Sequence, residues 1–144
     1  MNRLETSARR FVIDANVFVA ALKPFSKPAK QAHKNTKALS LLIHLITDET
    51  IDVISNSRLV AEYMHLAEEL NSKTSRLILR QLTAKITMVD VDQEALSRCK
   101  PYLPEKESAG IIHAATCLQT DAILITNDND FNKIKHSGLL PLPM

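Results

Sequence analysis

The feature that most constrains this chain is the run Ala122-Ile-Leu-Ile-Thr126, five uncharged residues of which three are β-branched. Such a run has no polar face to offer water. It is expected in the middle of a parallel sheet with helices on both sides. The rest of the chain supplies what such a sheet needs. Short strand-like runs at Phe11-Val-Ile13, Ile51 to Ser55 and Ile86 to Val89 alternate with longer stretches of helical period. Leu39, Leu42, Ile43 and Ile46 recur at i, i+3, i+4 and i+7, which predicts an amphipathic helix. Asn56 or Ser57 can cap a second helix that buries Leu59, Tyr63, Leu66 and Leu70. Further helices are expected over about Lys73 to Thr83, from Val91 towards Pro101 and Pro104, over about Glu107 to Gln119, and near Asp130 to Lys135, with a last strand at Leu139 to Leu142. Only two glycines occur, Gly110 and Gly138, so the chain is helix-rich with few glycine turns. The expected fold is an α/β three-layer sandwich around a mostly parallel sheet of about five strands.

The chain has 144 residues and shows no repeat, low-complexity stretch or linker, so one domain spanning residues 1–144 is expected. No apolar run approaches the roughly 20 residues that cross a bilayer. The N-terminal stretch does not resemble a signal peptide, because Asp14 and Asn16 interrupt the apolar segment that follows Arg9-Arg10. Cys99 and Cys117 have no metal-ligand spacing and are too few for a disulfide framework, which fits a reducing cytoplasm. The net charge of +2 decides little, but its distribution is uneven. No acid falls between Asp14 and Asp48, where Lys23, Lys27, Lys30, Lys34 and Lys37 lie. None falls between Glu69 and Asp90, where Lys73, Arg76 and Arg80 follow helical spacing. Acid-free basic stretches attract polyanions, although solvated lysines explain them as simply.

Two carboxylates stand just beyond the C-terminal ends of apolar strands. Asp14 follows Phe11-Val-Ile13, and Asp128 follows Ile123-Leu-Ile125 by three residues. Ligands of open parallel sheets bind at that edge, where strand order reverses. An aspartate there has a plainer use as a helix cap or turn acceptor. Two of them, each with a further polar partner (Asn16, Asp130), point towards a site. Glu62 is a third candidate, about 60 degrees round its helix from Leu59 and so on the margin of the buried face. Glu69 occupies a similar margin, so position alone does not separate the two.

The stretches Phe11-Val-Ile-Asp-Ala-Asn-Val-Phe-Val-Ala-Ala-Leu22, Ile112-His-Ala-Ala-Thr-Cys117 and Ala122-Ile-Leu-Ile-Thr-Asn-Asp-Asn-Asp-Phe131 resemble the opening and closing motifs of PIN domains, a family that includes VapC-like toxins. The likeness extends over nearly the whole chain. It implies a cluster of acids binding Mg²⁺ or Mn²⁺: Asp14 with Asn16 beside it, Glu62, Asp128 oriented by Thr126, and Asp130 as an auxiliary ligand. It further implies an endoribonuclease acting through a cation-activated water, an RNA substrate, a cognate antitoxin and a homodimer. RNA would be held by Lys23, Lys27, Lys30, Lys73, Arg76 and Arg80.

One position departs from the family pattern. Where an aspartate usually stands three residues before the His-Ala-Ala run, this chain has Gly110. Glycine in a helix interior costs about 0.5–1 kcal/mol relative to alanine; loss of a carboxylate by substitution explains it better than close packing of that helix against another backbone. Glu107 lies one turn away, about 5.4 Å along the axis, too far to substitute. His113 shares the face of Gly110, but Mg²⁺ prefers oxygen, so a packed or hydrogen-bonded histidine is expected. The nuclease is therefore expected to be impaired as written. The alternatives are a degenerate PIN-like module that binds RNA or protein, and a phosphate-transferring receiver-like domain. The receiver lacks its lysine after a late strand, and neither glycine belongs to a phosphate-binding loop.

Overall fold

The computed structural model describes residues 9–23, 36–104 and 108–141. Four strands, β1 (Arg9–Ile13), β2 (Ile51–Ser55), β3 (Ile86–Met88) and β4 (Ile123–Ile125), form one sheet in the order β3-β2-β1-β4. Every pairing is parallel, with Val53 opposite Ile86, Phe11 opposite Val53 and Ile13 opposite Ile125. Helices α1 (Ala15–Leu22), α2 (Thr36–Thr47), α3 (Ser57–Leu70), α4 (Lys73–Lys85), α5 (Gln93–Cys99), α6 (Ser108–Thr120) and α7 (Asn132–Ser137) flank it. The three-layer α/β sandwich expected from the alternation is the observed fold.

The chain builds outward from β1 through β2 to β3, then returns to place β4 on the other side of β1. The strand order therefore reverses between β1 and β4, the edge where such sheets open a crevice. Among the described residues the sheet has four strands, against about five expected. Leu139 and Leu140 lie in bends rather than a strand, because Gly138, in the left-handed region at φ 83°, closes α7 and turns the chain there. Leu142 falls outside the described residues. Among the described residues β4 pairs with β1 alone, with Ala122 and Leu124 buried and Ile123 and Ile125 half-buried.

The core joins the buried faces of strands and helices through Val12, Ile13, Phe18, Leu22, Leu42, Leu59, Tyr63, Leu82 and Ile134. In α2, Leu42 and Leu45 are buried while Ile43 is 44% exposed. That helix is apolar on several sides, so packing chooses its inner face. Asn56 caps α3 and Asn71 closes it in a left-handed turn. Lys85 secures the end of α2, its Nζ donating to the carbonyls of Leu45 and Asp48 at 2.6 Å each. The tie that matters most for function is Tyr63. Its ring lies 5.3 Å from that of Phe18, and its hydroxyl donates to the carbonyl of Ile13. Burial, reinforced by the charges of Asp14 and Glu62, pushes the phenol's pKa far up, so it stays a donor at all ordinary pH. Residue 63 of α3 is thus fixed to the residue before Asp14, and residue 62 comes with it.

Candidate metal centre

Asp14 leaves the end of β1 with its backbone N–H bonded to the Ile125 carbonyl of β4 at 2.9 Å. Both carboxylate oxygens have donors: Oδ1 accepts from Ala15 N at 2.8 Å, capping α1, and Oδ2 accepts from Thr126 Oγ1 at 2.6 Å. Asp14 is 9% exposed. The helix-capping role and a site role coexist in one side chain, since each oxygen has more than one lone pair.

Glu62 approaches from α3. Its carboxylate lies 3.3 Å (Oε1) from His113 Nε2 and 3.9 Å (Oε2) from Arg58 Nε. Ligand atoms of Asp14, Glu62 and His113 all fall within 4.8 Å of one another. The competing Glu69 is exposed and pairs with His65 at 3.3 Å. Helical period could not separate the two glutamates, whereas the partners across the crevice do.

Asp128 does not join that group. Its Oδ1 accepts from Asp130 N at 2.9 Å, capping the 3₁₀ turn Asn129–Phe131. The expectation that Asp14, Glu62 and Asp128 meet together is thus realised for the first two, and Asp128 is linked to them through Thr126. That threonine also works differently from expectation. Its hydroxyl orients the carboxylate of Asp14, and for Asp128 it accepts from the backbone N–H at 3.0 Å. Asp130 is exposed. Asn16 supports the site from the backbone side, its Oδ1 accepting from Asn127 N at 3.2 Å.

Gly110 is buried in the first described turn of α6, one turn before the buried His113. Glu107 lies outside the described residues. His113 was expected to be packed or hydrogen-bonded, and it is 2% exposed with partners on both ring nitrogens. Cys99 and Cys117 are free and buried, and burial raises the Cys99 thiol to about 11 and that of Cys117 further still. Neither supplies a thiolate to a metal or substrate.

Of the basic residues expected to hold a polyanion, Lys27, Lys30 and Lys34 lie outside the described residues. Lys23 at the end of α1 and Lys37 in α2 are exposed. Lys37 borders a cleft of about 570 Å³ with Val17, Ala20, Leu41, Ile125 and Asn127. Asn127 follows Thr126, so this cleft adjoins the acids. Lys73, Arg76 and Arg80 are exposed on α4. Arg76 and Arg80 line a separate cleft with Val60, Met64 and Leu79. Val60 and Met64 stand about 200 degrees round α3 from Glu62, so the α4 basic face borders the opposite side of that helix.

The donor set fits a hard divalent cation. Two carboxylates converge in a recess that is only partly open, and oxygen donors are what Mg²⁺ and Mn²⁺ take. Like charges this close disfavour each other unless a cation is shared, and one guanidinium at 3.9 Å offsets only part of that.

The PIN domain family model matches residues 11–137. The chain is similar in structure to the crystal structure of VapBC2 from Rickettsia felis bound to a DNA fragment from their promoter. That match has a TM-score of 0.55 and 17% identity, covering 93% of this chain and 97% of that one. Among curated proteins none matches in sequence.

Proposed function

The chain belongs to the PIN domain family, and from that premise we propose that it is a metal-dependent endoribonuclease, the toxin of a toxin–antitoxin pair, weakened by glycine at position 110. The observation that carries this reading is the convergence of Asp14 and Glu62 across the β1–β4 crevice. The antitoxin partner is inferred from the likeness to the VapBC2 complex, and a homodimeric state from the family resemblance alone. RNA as substrate is inferred from the family and from the lysines beside the crevice.

Hydrolysis of an RNA phosphodiester requires a water aligned with the scissile bond and relief of charge on the phosphate oxygens. A bound Mg²⁺ or Mn²⁺ supplies Lewis acidity to the phosphate and lowers the pKa of water. Asp14 and Glu62 would hold it, with Asp128 as a further acid at the rim and Asp130 as an auxiliary one. Thr126 and the Ala15 amide hold the carboxylate of Asp14 in place, so it need not reorganise when the substrate arrives. Lys23 and Lys37 would hold the RNA backbone on the Asn127 side, with Lys27 and Lys30 adding charge from the same acid-free stretch. Lys73, Arg76 and Arg80, around α3, would meet a more distant part of the RNA.

A carboxylate at position 110 would stand on the His113 face of α6, towards Glu62. Its loss lowers cation affinity and turnover while sparing the fold, because one fewer acid means less repulsion. The test is Gly110→Asp assayed for Mn²⁺-dependent cleavage of single-stranded RNA. A gain of at least about 10–100-fold is expected, on the scale of metal-site perturbations. No gain in a folded variant would remove the lost-ligand reading. A native chain that binds RNA without any cation dependence would favour the degenerate binding module instead.

A further inference from the structure

We propose that His113 is a positioning residue that holds the Glu62 carboxylate towards Asp14, and that Asn56 sets the imidazole tautomer that allows it. The inference rests on the reading of Asp14 and Glu62 as cation ligands. It concerns how one of them is kept in place.

The argument starts at the cap of α3. Asn56 Oδ1 accepts from Leu59 N at 2.8 Å. Only the oxygen of an amide can accept an N–H, so the orientation of this side chain is settled. Its Nδ2 carries two hydrogens and has two neighbours, Thr116 Oγ1 at 2.9 Å and His113 Nδ1 at 3.3 Å. Thr116 gives its own hydrogen to the Ile112 carbonyl at 2.8 Å, so its oxygen accepts from Asn56. The second amide hydrogen then goes to His113 Nδ1, which must present a lone pair. A neutral imidazole with a bare Nδ1 carries its proton on Nε2, and Nε2 faces Glu62 Oε1 at 3.3 Å.

This chain of donors changes how the three-residue cluster reads. His113 Nε2 lies among the ligand atoms, but with a proton on it the nitrogen has no lone pair for a cation. It gives the site a hydrogen bond instead. Glu62 is a long side chain with 30% of its surface exposed, and freezing such a chain costs rotamer entropy. A buried ring at fixed distance offsets part of that loss before any cation arrives. Hydrogen bonds to ligating carboxylates act in this way, and losing such a partner typically weakens metal affinity about 10–100-fold. The signal was present in the sequence as a histidine three residues after Gly110 on the same helix face.

Two measurements on the full chain test the proposal. First, nitrogen-15 NMR of the cation-free protein reads the His113 tautomer directly. Protonated Nε2 with unprotonated Nδ1 is expected, and the reverse pattern overturns the proposal whatever the enzymology shows. Second, calorimetric titration with Mn²⁺ compares native protein, His113→Gln and His113→Leu. The glutamine amide can donate near the place of Nε2, so it should keep affinity close to native, while leucine should lose about 10–100-fold. Where leucine does not fold, His113→Phe keeps the ring shape and serves the same comparison. Equal affinity for all folded variants overturns the positioning role. A native chain that takes up no Mn²⁺ overturns both the cation-site reading and the role built on it, whereas native uptake unaffected by leucine or phenylalanine overturns the role of His113 alone.

Discussion

Asp14 and Asp128 occupy equivalent places in the sequence, each just past the C-terminal end of an apolar strand, and the fold uses them differently. Asp14 follows β1, which has neighbours on both sides, and its carboxylate is held by Ala15 N and Thr126 Oγ1 while facing Glu62. Asp128 follows β4, which among the described residues pairs with β1 alone, after two further residues. It turns Oδ1 to the Asp130 amide and stays outside the converging group. A strand-end aspartate is thus a candidate by position only. It becomes part of a site when a second element brings a carboxylate to it, and here that element is α3, tied to the end of β1 by Tyr63.

This difference can be broken experimentally. The largest effect should come from Asp14→Asn against Asp128→Asn in a Mn²⁺ titration. Loss of a carboxylate at 14 should cost more than the roughly 10–100-fold typical of an outer partner, and loss at 128 should fall near the low end of that range. Equal losses would mean that Asp128 turns inward when the cation binds. A smaller effect is expected for Thr126→Val, which removes the donor to Asp14 and the acceptor for Asp128 N together. Affinity should fall about tenfold, and thermal unfolding should report a loss of about 1–2 kcal/mol. A variant that loses stability but not affinity would show that Asp14 needs no help in orientation.

Much of the site was legible from residue order because aspartates beyond apolar strands have few other places to go. Asp14, Asn16, Thr126 and Asp128 all came to the β1–β4 edge for that reason. What stayed hidden was each side chain's partner. Glu62 and Glu69 share a helix margin, and the partners across the crevice, Asp14 and His113, separate them. Asn56 was readable as a cap from its oxygen, whereas its amide nitrogen serves residues 57 and 60 positions further along, at His113 and Thr116. At β4 the apolar run marked a strand, but composition did not show that Ile125 is half-buried beside the cleft shared with α1 and α2. In α2, surplus apolar residues left the choice of inner face to packing.

The central claim is that Asp14 and Glu62 share one divalent cation. A crystal grown with Mn²⁺ and measured for anomalous scattering tests it most directly. The account predicts one strong peak bridging the two carboxylates, with Nε2 of His113 bonded to Glu62 and not to the ion. A peak coordinated by His113, or no peak at a Mn²⁺ concentration that saturates the calorimetric titration, would contradict it.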